Sequence, residues 1–253
     1  MAHCSSTPAA LAALITIALA LPMDASAQSR DSWNVVPLKE AKLNIEHNAT
    51  DHDTGFQGAV DSEGWKDLKV RGPDGVVLEF EADGKLRTLG LTELFFETVE
   101  PENADVPIPQ MLSKLPAGNY RIYGPIAGSD SGFTAGTAWL THVIPAGPVL
   151  LSPTEGATVW AGELLMKWRP VTKTIYGGPV RIIAYQLIVE KVANPHPHMI
   201  GKPNSLSMYL PPSVTQIAIP RGFLERASPY AWEVLAIEQS GNQTLSSGEF
   251  ETR

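Results

Sequence analysis

The sequence predicts an all-β protein built as two β-sandwich-like domains, and three observations carry that reading. First, 21 glycines and 21 prolines punctuate the 253 residues without a period, as turns between many short strands require and as collagen-like or low-complexity chains do not show. Second, apolar and polar residues alternate over strand-length runs, and no long 3.6-residue period competes with them. Third, Pro145-Ala146-Gly147-Pro148 interrupts strand-like sequence on both sides and divides residues 28–147 from 148–253, each the size of an ordinary domain. With 43% hydrophobic residues, each part has material for a core.

Residues 1–27 read as a signal peptide. The apolar run Ala9 to Leu21 is broken only by Thr16, and Ala25-Ser26-Ala27 fits an A-x-A cleavage site. That run is too short to span a hydrocarbon layer as a helix, and no later segment approaches the length needed. The expectation is therefore a periplasmic or secreted chain, cleaved near Ala27 and without a membrane span. Cys4, the sole cysteine, precedes the run, so the mature chain has no thiol for a disulfide, a nucleophile or a metal. Acidic residues outnumber basic ones 27 to 19, with a net charge of −8 and a pI near 5.2, which opposes nucleic-acid backbones.

In the first part, Leu68 and Val70 lead into the turn Pro73-Asp74-Gly75, where Pro presets φ and Gly accepts a positive one. Val76, Leu78 and Phe80 then alternate with Val77, Glu79 and Glu81, and Asp83-Gly84 reads as the next hairpin turn before Leu86 and Leu89. The pattern is a β-meander. Leu91 to Val99 suits a further strand, Pro107 to Leu115 a loop with one helical turn, and Phe133 to Val143 a last strand.

In the second part, Leu164, Met166 and Trp168 fall on one face of a strand, and Tyr185, Leu187 and Val189 on one face of the next. Ser228-Pro229 precedes the run Tyr230-Ala231-Trp232-Glu233-Val234-Leu235-Ala236. This pattern resembles a fibronectin type III domain over residues 148–253. The resemblance implies a core tryptophan at Trp168, a corner tyrosine at Tyr230 whose hydroxyl bonds to upstream backbone, and structural roles for Tyr185, Trp232 and Val234. Pro195-His196-Pro197-His198 departs from it as an insertion. Across the mature length, the segments His47 to Phe56, Gly90 to Glu97 and Ile237 to Thr244 are similar to those of exported bacterial proteins that place such a domain behind a β-rich one. That likeness implies architecture and export and adds no chemistry.

Candidate chemistry is sparse. Asp51 and Asp53 alternate ahead of Gly55, and such oxygens converge on Ca²⁺ in tight loops. An Asx turn capping its own backbone explains the same residues. His47 and His52, or His196 and His198, offer imidazoles for Zn²⁺ only if three ligands converge, and solvated loop histidines are the alternative. Glu93 and Glu97 share a face and invite comparison with the paired carboxylates of glycoside hydrolysis. Gly128-Ser129-Asp130-Ser131-Gly132 centres an Asp, so it is not a serine nucleophile elbow. No phosphate loop, dinucleotide fingerprint or His-Glu-x-x-His segment occurs. Trp33, Trp65, Trp139 and Trp160 are left outside the second core as stacking candidates. The expectation is a non-enzymatic binding or scaffolding protein whose partner is a protein or a cell-surface glycan. The alternative is a cell-envelope polysaccharide hydrolase with a catalytic first domain and an accessory second one.

Overall fold

Alternating side chains along residues 34–140 lay down eight strands, β1 (Asn34–Pro37), β2 (Glu40–Asn48), β3 (Asp53–Trp65), β4 (Asp67–Gly72), β5 (Gly75–Glu81), β6 (Leu91–Glu97), β7 (Gly118–Pro125) and β8 (Gly132–Leu140). Two short helices interrupt them, α1 (Gly84–Leu89) and α2 (Ile108–Leu112). The computed structural model describes residues 34–129, 131–194 and 196–253. The expected signal peptide, Cys4, Trp33, Asp130 and Pro195 lie outside the described residues.

The second part contributes β9 (Leu150–Ser152), β10 (Ala157–Val159), β11 (Leu165–Trp168), β12 (Ile182–Lys191), β13 (Ser205–Leu210), β14 (Gln216–Ala218), β15 (Pro229–Glu238) and β16 (Gln243–Thr252). They form a three-stranded sheet, β14-β11-β9, facing the four strands β13-β12-β15-β16. A five-stranded sheet, β1-β8-β7-β4-β5, backs the first part. The fold is all-β and sandwich-like in both halves, and the second half is fibronectin type III-like.

The large sheet does not stop at the end of either half. β16 pairs in parallel with β2 through Gln243 opposite Glu46 and Leu245 opposite Asn48, so the order β13-β12-β15-β16-β2-β3-β6 is continuous. β10 takes the far end of the same β16 edge. Two apolar cores lie on one side of this sheet. Leu43, Ile45, Phe56 and Val60 meet Leu68, Val70, Tyr120 and Ile122 from the five-stranded sheet. Met166 and Trp168 meet Tyr185, Leu187, Tyr230, Trp232, Val234 and Phe250. Each large side chain buried this way contributes roughly 1.5–3 kcal/mol, and no helix among the described residues is long and apolar enough to cross a membrane.

Three local expectations are corrected. Asp83-Gly84 opens a helix, not a hairpin: the Asp83 carboxylate accepts the Gly84 N–H at 2.6 Å, and Gly90 closes α1 with φ +79. The meander ends there because β5 and β6 belong to different sheets, and α1 carries the chain across the gap. Trp65 is not a surface ring but a fully buried member of the first core. Gly55 is not a turn residue. It sits within β3, where a Cβ would stand 2.7 Å from Glu100 Cγ, and the left-handed residue of the turn is His52 at φ +61.

Candidate functional site

The outward face of the large sheet follows from register. Residues paired across strands point the same way, which aligns Tyr209, Gln186, Leu235 and Leu245 in one row over β13, β12, β15 and β16. Ile237, Gln243 and Glu46 form a second row over β15, β16 and β2. Asn44, Gln57 and Glu97 continue it over β2, β3 and β6, with Lys42, Ala59 and Phe95 beside them. All of these residues except Glu97 line a trough of about 690 Å³ with an apolar floor of Leu235, Ile237 and Leu245. Rings stand at its two ends, Tyr209 at 70% exposure and Phe95 at 64%, because β13 and β6 are the edge strands.

The polar groups of this face are tied together. Gln243 Nε2 donates to Glu46 Oε2 and, at 3.1 Å, to Gln57 Oε1, while Gln57 Nε2 donates to Glu97 Oε1 at 2.8 Å. Lys42 pairs with Glu40 at 2.7 Å. Glu100, from the loop after β6, folds back over Gly55, whose missing Cβ makes room for it. Carboxylate oxygens of Glu46, Glu97 and Glu100 then lie within 4.8 Å of one another. Glu100 Oε1 is buried without a hydrogen-bond partner. Burial, and then the charges of Glu46, Glu97 and Asp53, push the Glu100 carboxyl up to about 7. Burial also raises Glu46, against the Gln243 hydrogen bond, and raises Glu233 in the trough wall.

The residues singled out in sequence are placed as follows. Asp51 and Asp53 lie at the β2–β3 turn. Asn48 Oδ1 accepts the N–H groups of Thr50 and Asp51 at 2.9 and 3.0 Å, and Asn48 Nδ2 donates to Asp51 Oδ2 at 2.8 Å. Neither aspartate belongs to the group of three carboxylates, although Asp53 Oδ1 is buried without a partner. His47 is not a loop histidine. It is buried on β2, with Nδ1 2.9 Å from both the Asp53 carbonyl and Thr54 Oγ1, and burial lowers its pKa. His52, His196 and His198 are exposed. Glu93 is opposite Asp61 on β6, outside the carboxylate group, whereas Glu97 is in it.

Trp168, Tyr185, Tyr230, Trp232 and Val234 are all in the second core. The Tyr185 hydroxyl accepts the Val171 N–H at 2.8 Å, and the Tyr230 hydroxyl accepts the Glu225 N–H at 2.9 Å. Trp139 and Trp160 are exposed. The residues not singled out as a site are Glu46, Gln57, Glu100, Gln243, Phe95 and Tyr209. Their signal in sequence is only that polar side chains alternate with apolar ones along β2, β3 and β16, which marks an outward face and nothing more.

No protein-family model and no curated protein sequence matches the chain. Among solved structures it is similar to the two-domain fibronectin type III segment of chicken tenascin, at 11% identity and a TM-score of 0.30, covering 85% of this chain and 98% of that one. It is also similar to the FN1–FN3 domains of chicken CNTN1, at 10% identity and a TM-score of 0.33, covering 87% of this chain and 65% of that one. A third is the fn3 domain of human collagen alpha-1(XX), at 14% identity and a TM-score of 0.29, covering 42% of this chain and 79% of that one. Nothing about a ligand or a partner follows from likenesses at this level.

Proposed function

We propose that this chain is an exported, non-enzymatic binding protein that presents the outer face of its large sheet to an uncharged glycan of the cell surface. The observation that carries this reading is the trough itself, with an aromatic ring at each end and a wall of Gln, Asn and Glu side chains. Rings stack on the C–H faces of sugars, and amides and carboxylates bond their hydroxyls. The one cation in the wall, Lys42, is neutralised by Glu40, so the remaining carboxylates oppose an acidic polymer.

The polysaccharide-hydrolase reading has one point in its favour, the raised carboxyl of Glu100 beside Glu97. A hydrolytic pair must flank a glycosidic bond at roughly 5–9.5 Å. Here three carboxylates crowd within 4.8 Å, and Glu100 packs against Gly55, so no sugar ring fits between them. The test is retention on neutral and acidic polysaccharides in affinity electrophoresis, with Phe95→Ala and Tyr209→Ala singly and together. Retention by a neutral polymer, weakened roughly tenfold or more in the double variant, supports the reading. Loss of all retention by wild type on neutral polymers, or release of reducing ends from them, sinks it.

A further inference from the structure

A second cavity, of about 590 Å³, opens on the other side of β6. Strand alternation separates it from the trough: Phe95 and Glu97 point outward, whereas Phe96 faces inward and packs against Gly58, where a Cβ would be 2.3 Å from its ring. The cavity runs between the two sheets of the first half at the seam where β5 and β6 are the respective edges. Edges of different sheets share no ladder, so this is where a sandwich parts most easily. Phe80 and Phe96 meet across the seam at 5.7 Å between ring centroids. Leu43, Phe56, Val70 and Met111 close the interior, and Val77 and Lys114 stand exposed at the mouth.

The lining is apolar apart from Glu97, Thr98 and Lys114. Glu97 is engaged away from the cavity, accepting from Gln57 on the outer face. Lys114 is the one cation of the lining and makes no ion pair among the described residues. A volume in this range holds small ligands, and ligand pockets combine an apolar wall with a few placed polar groups. A void lined by Leu, Val and Phe offers water no partners.

We propose that the cavity between β5 and β6 binds a long-chain carboxylate, its hydrocarbon chain running between the sheets and its head paired with Lys114 at the mouth. The occupant is a single chain because the opening is a seam between two strands, and it is anionic because Lys114 is the one cation of the lining, without an ion-pair partner among the described residues, while the Glu97 carboxylate is turned to the outer face by Gln57.

The test uses the mature chain with a fluorescent polyene fatty acid displaced by palmitate, hexadecanol or lysophosphatidylcholine. Expected is saturable one-to-one binding of the polyene acid and displacement by palmitate at lower concentration than by either other competitor. Lys114→Glu should weaken palmitate at least fivefold and leave hexadecanol unchanged. Val77→Trp should abolish binding by filling the mouth. Both positions are exposed, and unchanged melting temperatures will show that the variants fold. Absence of saturable binding by wild type overturns the proposal. So does equal competition by hexadecanol and palmitate, or a Lys114→Glu variant that binds palmitate as wild type does.

Discussion

Glu100 is the side chain whose surroundings are least comfortable for its charge. It has a buried oxygen without a donor, two other glutamates within 4.8 Å, and a carboxyl raised to about 7 from an ordinary 4.5. A group that binds its proton more tightly when folded stabilises the fold below its unfolded pKa and loses that contribution as pH rises through the folded value. Stability should therefore fall between about pH 4.5 and 7 through this residue, with Glu46 acting in the same direction. His47, lowered by burial, works the other way, because the unfolded chain then binds the extra proton. The isosteric Glu100→Gln separates the two. We expect its melting temperature to equal wild type near pH 4.5 and to exceed it by roughly 2–4 °C at pH 8, measured by thermal melting across that range. A difference that stays constant with pH would remove Glu100 as the titrating group. None of this was legible in sequence. Glu97 stood out through its spacing from Glu93, but the residue that crowds it arrives from a loop, at a glycine that reads as a turn.

At the scale of elements, the second half was the more readable, because β11, β12 and the first part of β15 bury every second residue. Met166 with Trp168, and Tyr185 with Leu187 and Val189, reach the same core from opposite sheets. The corner at Tyr230 shows what that regularity rests on. Its ring stacks on Phe250 at 5.5 Å, and its hydroxyl accepts the Glu225 N–H. Tyr230→Phe keeps the ring and leaves that N–H without its acceptor, so it should cost about 1–2 kcal/mol. In urea this appears as a lower midpoint with an unchanged slope, and an unchanged midpoint would mean that water replaces the hydroxyl. The first half was harder because one signal had two meanings. Asp-Gly begins a type I′ hairpin as readily as Asp caps a helix, and Asp83 does the latter. Gly90 at the far end is the stop signal that distinguishes them. The choice is decided by the placement of β5 and β6 in different sheets, which no local pattern reports.

For the whole molecule, the consequential feature is the parallel pairing of β16 with β2, and Asn242 is its fastening. This side chain is 1% exposed and lies just after the β15–β16 turn. The turn is shaped by Gly241 at φ +97 and by Glu238, whose carboxylate accepts the N–H of Ser240 at 3.0 Å. Asn242 Oδ1 accepts the Ile45 N–H at 2.9 Å, and Nδ2 donates to the carbonyls of Thr141 and Val143 at 3.0 and 2.9 Å. One amide thus joins β16, β2 and the segment connecting the halves. The sequence offers Asn242 as a turn residue and conceals this role, since its partners lie about a hundred and two hundred residues away. Asn242→Ala leaves one buried donor and two part-buried acceptors without their partner. At roughly 1–3 kcal/mol for each unsatisfied group, with some relaxation, the loss should be about 3 kcal/mol. For a unit of this size that lowers the melting temperature by roughly 6–12 °C. The same change weakens the β16–β2 ladder, which among the described residues joins the halves together with the smaller bridge of Pro145 and Thr174. Scanning calorimetry should accordingly show one transition for wild type and two for Asn242→Ala. A single transition at the wild-type temperature in the variant would mean that backbone pairing alone holds the sheet together.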